Sequence, residues 1–181
     1  HNGPLASDVQ WAWKQDYAHH RARARELGTL YEFSDRAATQ TPEADRLAEY
    51  EKRWQKGGVN FVHAFNDLMV SKAANDTIAD FVRSKIRGIV KDPEVADSLC
   101  PNDHPLGTKR ICVDSGYFET YNRDNVRLVD LKKTPIQEVL PHAVRTSAGH
   151  HELDALVCAT GYDALTGAVL HMDIRGVDGQ T

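Results

Sequence analysis

Lys109 and Arg110 stand side by side in the stretch GTKRICVDSGYFETYNRDNVRLVD, residues 107–130. With Thr108 before them, they are the residues whose types and spacing are best suited to holding anions. Arginine stays charged at every accessible pH and carries a rigid planar fork of donors, whereas lysine is a compact point charge suited to a phosphate. Neighbouring side chains on a strand diverge, so the two cations can serve two different anions from one short stretch. An ordinary solvated cation pair is the competing reading, and the three residues alone do not displace it. Tyr117, Phe118 and Tyr121, just downstream, read most simply as packing groups.

The second chemical signal is ELDALVCATGYDALTG, residues 152–167. LDALVCA is an almost unbroken apolar run of strand length, the pattern of a strand covered on both faces. It ends in Ala159, Thr160 and Gly161, and small residues after such a strand let the backbone approach a ligand or another segment. A plain tight turn is the alternative. Tyr162 and Asp163 follow as weaker candidates. His150, His151 and Glu152 have a metal-like composition, but adjacent strand residues point to opposite faces, so no metal site is expected. No GxGxxG, Walker A, GxSxG or HExxH sequence is present.

The elements that must position these residues divide into a helical half and a strand-rich half. A helix is expected from a Ser7 cap to about Glu26, with Val9, Trp11, Trp13 and Tyr17 on one face and Gly28 ending it. Its tail, HHRARAREL, reads as a wet face with cations at the negative end of the helix dipole; a phosphate site there is the less favoured reading. Thr41, Pro42 and Glu43 open a second helix running to Lys56, broken by Gly57 and Gly58. VNFVHAFNDLMV carries a helical stripe at Phe61, Val62, Phe65, Leu68 and Met69, with His63 beside it as a packing or surface residue. Asn75 or Asp76 is expected to start another helix, with Ile78, Phe81, Val82, Ile86, Ile89 and Val90 as its apolar face. Asp92 and Pro93 stop that helix, and a short helical turn follows through Leu99. Strands are expected at residues 110–113, 126–130 and 152–159, with short strands and turns in between.

The chain has 181 residues, 41% hydrophobic and 27% charged, with a net charge of −4, a globular composition that argues against a general nucleic-acid binder. No apolar run approaches the ~20 residues that span a bilayer, and no signal peptide is visible. Cys100, Cys112 and Cys158 are widely spaced, which suits reduced thiols in a reducing, cytoplasmic compartment. Asn75-Asp76-Thr77 matches a glycosylation sequon and reads more simply as a helix start. The chain opens on His1-Asn2-Gly3-Pro4 without Met and stops at Gly179-Gln180-Thr181, as expected for a segment of a longer protein.

The apolar strand ending in ATG, followed by Tyr162-Asp163-Ala164, resembles the second half of a flavoprotein monooxygenase with two dinucleotide-binding domains. The order CPNDHPLGTKR, GYFETYNRDNVRLVD, ELDALVCATGYDALTG and DIRGVDG resembles the Baeyer–Villiger monooxygenases, especially the phenylacetone- and cyclohexanone-oxidising branch. The likeness spans essentially the whole chain, including NGPL at its start. It implies an α/β fold: the helical portion of an NADP-binding domain (1–105), its strand-rich end (106–158), and a crossover returning to an FAD-binding domain (159–181). It also implies FAD and NADP as cofactors and a small-molecule ketone with O2 as substrates, with neither nucleic acid nor membrane as partner. The position matching Arg110 is the family's active-site arginine, suited to stabilising the flavin peroxide anion of its chemistry. Thr108 and Lys109 match NADP-contacting positions, and Thr160 and Gly161 are expected near the cofactors. The family's Gly-rich nucleotide motifs and its fingerprint are absent, so this piece alone is not expected to bind FAD properly or turn over. A flavoprotein hydroxylating nitrogen or sulfur is the alternative among enzymes. A helical interaction module without cofactor, using the aromatic face of the first helix, is the non-enzymatic alternative.

Overall fold

The computed structural model describes residues 4–24, 30–161 and 166–179. It divides into two compact units, His1–Leu128 and Val129–Thr181.

The first unit begins with α1 (Ser7–Gln15) and α2 (Tyr17–Ala24), separated at Asp16. The single long helix expected from the sequence is therefore two, and Ser7 is the first helical residue rather than its cap. Ala6 holds the N-cap position and no side chain caps the helix. The predicted end at Glu26 and Gly28 lies outside the described residues. No residue of α1 or α2 is buried, and Trp11 remains 65% exposed. Trp13 instead stacks on the His20 ring at 4.2 Å between centroids, a contact local to the helix pair.

The core lies on α3 (Glu43–Lys56) and α4 (Lys72–Ile89). Glu43 and Asp45 lie in the first turn of α3 and Arg53 and Lys56 in its last, each sign matched to the helix dipole. Pro42 sits at the N-cap, one position before the expected first helical place, and Gly57 ends the helix at φ 77°, a conformation that favours glycine. Tyr50 is fully buried, and its hydroxyl meets the Thr77 hydroxyl at 2.7 Å, so the ring packs without stranding a polar atom. Buried Arg53 donates to Glu49 at 2.6 Å and to the Glu32 carbonyl.

The stripe in VNFVHAFNDLMV does not make a helix. It forms a 3-10 turn, Asn60–His63, followed by further turns. Asn66 and Asp67 bond distant backbone: Asn66 reaches the Asp35 carbonyl at 2.7 Å, and the Asp67 carboxylate accepts from the amides of Ala38 (2.7 Å) and Thr39 (3.1 Å). Side chains committed outward in this way compete with helix continuation. Phe61, Phe65 and Leu68 are buried even so, joining Tyr50, Ile78 and Phe81 in one cluster.

Helix α4 starts earlier than expected. Ser71 is its N-cap, accepting from the Ala74 amide, and Asn75 lies inside the helix, buried. Asp92 caps α5 (Pro93–Leu99), accepting from the Glu94 and Val95 amides, with Pro93 at the first helical position. Ile86, Val90, Ala96 and Cys100 form a second cluster, with Phe118 and Tyr121 packed against it. Tyr121 belongs to the short helix α6 (Tyr117–Thr120) as its C-cap.

The second unit holds an antiparallel meander of β1 (Ile136–Leu140), β2 (Ala143–Thr146) and β3 (Gly149–Glu152). These are the short strands joined by turns that the sequence predicts there. Val139 faces Val144 and Val144 faces His151 across the ladders. Arg145 of β2 binds Glu138 of β1 at 2.7 Å. A short helix α7 (Gly167–Leu170) follows.

The strands expected at 110–113, 126–130 and 152–159 do not form: only Glu152, the last residue of β3, is in a ladder. A strand needs a hydrogen-bonding neighbour, and among the described residues no ladder pairs with 110–113, 126–130 or the stretch after Glu152, where pairing stops at the Leu153 amide on the His142 carbonyl. LDALVCA is accordingly uncovered, with Leu156 51% and Val157 86% exposed. The described chain is thus helix-rich with a small three-stranded sheet.

Candidate functional site

Thr108, Lys109 and Arg110 sit on a short exposed loop held at both ends by the first unit's core. Leu106 on one side and Ile111 on the other are partly buried against the cluster of Tyr50, Leu68, Ile78 and Phe81. Between them the chain bulges out. Gly107 takes φ 88°, a left-handed conformation that favours glycine, and the flexible Met69 side chain lies close by, its sulfur 2.9 Å from where a Cβ would stand. The Thr108 hydroxyl donates to the Pro105 carbonyl at 2.8 Å, which tightens the turn.

The anchor beneath the loop is Asn75. Its amide oxygen accepts from the Leu106 amide at 2.9 Å, and its amide nitrogen donates to the carbonyls of Leu106 (2.9 Å) and Leu68 (3.0 Å). One side chain thus ties α4 to both the Met69 turn and the cationic loop. A second asparagine holds the chain downstream. Asn122 accepts from the Lys91 amide at 2.8 Å and donates to the Ile89 carbonyl at 2.8 Å, fastening the end of α6 to the end of α4. The sequence reading missed both roles. A signal for Asn75 was present: it stands three residues before Ile78, on the apolar stripe, where an unpartnered amide would be costly.

Lys109 and Arg110 themselves are exposed, and among the described residues neither cationic head is hydrogen-bonded or ion-paired. Most other cations of the unit are engaged: Lys72 with Asp76, Arg83 with Asp80, Lys85 with Glu51 and Arg87 with Asp97. The loop therefore presents two adjacent charges on a fixed base, with the Thr108 hydroxyl proton engaged by the Pro105 carbonyl. An anion meeting them would not have to displace an internal carboxylate.

Phe118 and Tyr121 are packing groups, as expected, while Tyr117 remains exposed. The Tyr121 hydroxyl donates to that of Tyr117 at 2.9 Å. Burial, and then the neighbouring Tyr117, push the Tyr121 phenol up to about 12, so it stays protonated at neutral pH. His63 is a packing residue, stacked with Tyr31 and tilted against Phe33. Burial, and then the Arg53 charge, lower its pKa and favour the neutral ring.

Thr160 and Gly161 belong to the second unit and are exposed; Gly161 takes φ 82°, with nothing within 4 Å of where a Cβ would stand. Tyr162 and Asp163 lie outside the described residues. His150 and His151 alternate between exposed and half-buried faces, and among the described residues no group of three His, Cys, Asp or Glu could hold a metal ion.

The chain is 45% identical over 180 residues to 2-oxo-Δ3-4,5,5-trimethylcyclopentenylacetyl-CoA monooxygenase of Pseudomonas putida, covering 98% of this chain and 33% of that protein. It is 44% identical over 153 residues to a Baeyer–Villiger monooxygenase of Pseudooceanicola batsensis, covering 83% of this chain and 28% of that protein. Among solved structures, OTEMO in complex with FAD and NADP superposes with a TM-score of 0.90 at 38% identity, over 98% of this chain and 33% of that one. No protein-family model matches the chain. These relatives are monooxygenases, and the chain spans about a third of the length of those it matches. Over nearly all of its own length the chain is thus similar to about a third of a Baeyer–Villiger monooxygenase.

Proposed function

We propose that the protein carrying this chain is an FAD-dependent, NADPH-consuming Baeyer–Villiger monooxygenase. It places one oxygen atom of O2 beside the carbonyl of a small-molecule ketone, giving an ester or lactone. The observation that carries this reading is the loop of Thr108, Lys109 and Arg110, whose cationic heads are unpaired among the described residues on a tightly anchored base. In a chain of this family, such a donor set fits a phosphorylated cofactor.

The residues divide the work by their chemistry. Lys109 binds a phosphate of NADP as a point charge, and Thr108 adds its hydroxyl donor by exchanging the Pro105 carbonyl for the phosphate. Arg110 is the catalytic residue: with the flavin bound, its guanidinium would stabilise negative charge developing beside the ketone. Thr160 and Gly161 lie beside the cofactors, where a small residue at positive φ lets backbone approach closely. FAD, when bound, would supply the activation of O2, and NADPH the electrons. In domain terms, residues 1–105 are the helical portion of the NADP-binding domain, 106–158 its strand-rich end, and 159–181 the crossover toward the FAD domain. In the whole protein LDALVCA would gain the covering strands and helices that its apolar run calls for. No helix among the described residues is long and apolar enough to cross a membrane, and we place the protein in the cytoplasm.

The test is Arg110→Ala in the full-length protein. Ester formation should be abolished with the flavin still bound; retained ester formation would remove Arg110 from the chemistry. Lys109→Ala should chiefly raise KM for NADPH, and an unchanged KM would argue against a phosphate contact.

A further inference from the structure

We propose that Asn75 is a positioning residue for the cationic loop: its amide, bonded to both polar groups of Leu106, sets where Lys109 and Arg110 stand. The inference rests on the reading of that loop given above. Asn75 is 5% exposed and lies on α4, 31 residues before Leu106 in sequence, so a rigid helix carries the reference point for the loop. Both hydrogen-bonding groups of the Leu106 backbone are taken by the one side chain, at 2.9 Å each. A two-point bond of this kind fixes orientation as well as distance, which a single bond does not. Three further features converge on the same stretch. The second amide hydrogen of Asn75 is taken by the Leu68 carbonyl, which stops the side chain from turning away. Met69, one residue later, lays its side chain close against Gly107, whose φ of 88° narrows the backbone choices there. Ile111 re-enters the core directly after Arg110. Thr108, Lys109 and Arg110 therefore have little backbone freedom, although their side chains face outward. Loose cations would have to be ordered by each arriving anion, at a cost in affinity that a held loop avoids.

The experiment uses the full-length protein with Asn75→Asp, which keeps the acceptor for the Leu106 amide and loses both donated bonds. Ile78→Val in the same helix serves as a packing control, and Lys109→Ala as a benchmark. Hydrogen exchange read by mass spectrometry on peptides covering 104–112 should quicken at least ten-fold in Asn75→Asp, with peptides of α3 within two-fold. The dissociation constant for NADP+, measured by titration calorimetry, should rise at least five-fold with flavin content unchanged. Ile78→Val should leave both within two-fold. Unchanged exchange at 104–112, or acceleration shared equally by α3, would overturn the proposal. So would faster exchange with an unchanged NADP+ constant, provided Lys109→Ala raises that constant. If Lys109→Ala leaves it unchanged, the phosphate reading of Lys109 fails, and the exchange data still decide whether Asn75 holds the loop. Should Asn75→Asp not fold, Asn75→Ser, too short to reach Leu106, is judged by the same readings.

Discussion

The apolar stripe of α4 and the apolar run LDALVCA have comparable hydrophobic content and opposite fates. Ile78, Phe81 and Ile86 of α4 are buried against partners that the chain supplies itself. Leu156 and Val157 are exposed, and within the second unit Val144 is the only described hydrophobic residue that is buried. The difference lies in what each element needs. A helix satisfies its own backbone and can bury its stripe against any complementary surface, whereas a strand needs a neighbour for its hydrogen bonds before it exists at all. A segment with its own helical core is therefore well defined, while a strand that borrows its neighbours is not.

The largest effect expected from this contrast is at Leu68, fully buried in the first unit. Leu68→Ala should cost about 2–5 kcal/mol in denaturant unfolding of the chain. Val144→Ala in the sheet, which removes two methyl groups, should cost about 2 kcal/mol or less. Equal losses would mean the sheet has a core of its own.

Asp67 comes next, because its carboxylate accepts from the Ala38 and Thr39 amides and the Thr39 hydroxyl. Asp67→Ala should destabilise the first unit by about 1–3 kcal/mol. Burial works to raise the Asp67 pKa, but the hydrogen bonds from Ala38 and Thr39 outweigh it and the net shift is downward. A depressed folded value means that its contribution is present above the unfolded value, about 3.9, and is lost as pH falls through the folded one. Thermal unfolding between pH 5 and pH 2, on the order of that range, should show this loss in the parent and not in Asp67→Ala.

A smaller pH effect is expected at His63, whose pKa is lowered by burial and then by Arg53. Because the folded chain disfavours the charged ring, stability falls as pH drops below the unfolded value of about 6.5 and levels off beneath the folded value. His63→Phe should flatten the melting temperature over that window. An unchanged slope would exclude His63 as its source.

The smallest effect separates the two regions most sharply. Val157→Asp in this chain should change stability by less than about 0.5 kcal/mol, as for an exposed site. A large loss would show that LDALVCA is packed after all.

Much of the first unit was legible in the sequence. The span and glycine stop of α3, the break at Asp92-Pro93 with a short helix after it and the apolar face of α4 all follow from breakers and helical periodicity. Boundaries that depended on distant partners were not. Asn75 resembles a helix starter until the Leu106 backbone is seen to occupy its amide. The 60–70 stripe reads as a helix until Asn66 and Asp67 are seen to bond backbone far away in the chain. At the candidate site, the residue types at Thr108, Lys109 and Arg110 stated the chemistry, and only packing could say what holds them.

The sequence by itself determined which residues carry charge, where α3 stops and the break after α4 falls, and which family the chain resembles. These rest on side-chain chemistry and short-range backbone preference, which do not need the rest of the molecule. Tertiary structure alone decided that the cationic loop is anchored by an amide 31 residues earlier, and that among the described residues two expected strands find no partner and the third is paired only at its start. Both outcomes depend on hydrogen bonds between segments far apart in sequence, and no local pattern records whether such a partner is within reach.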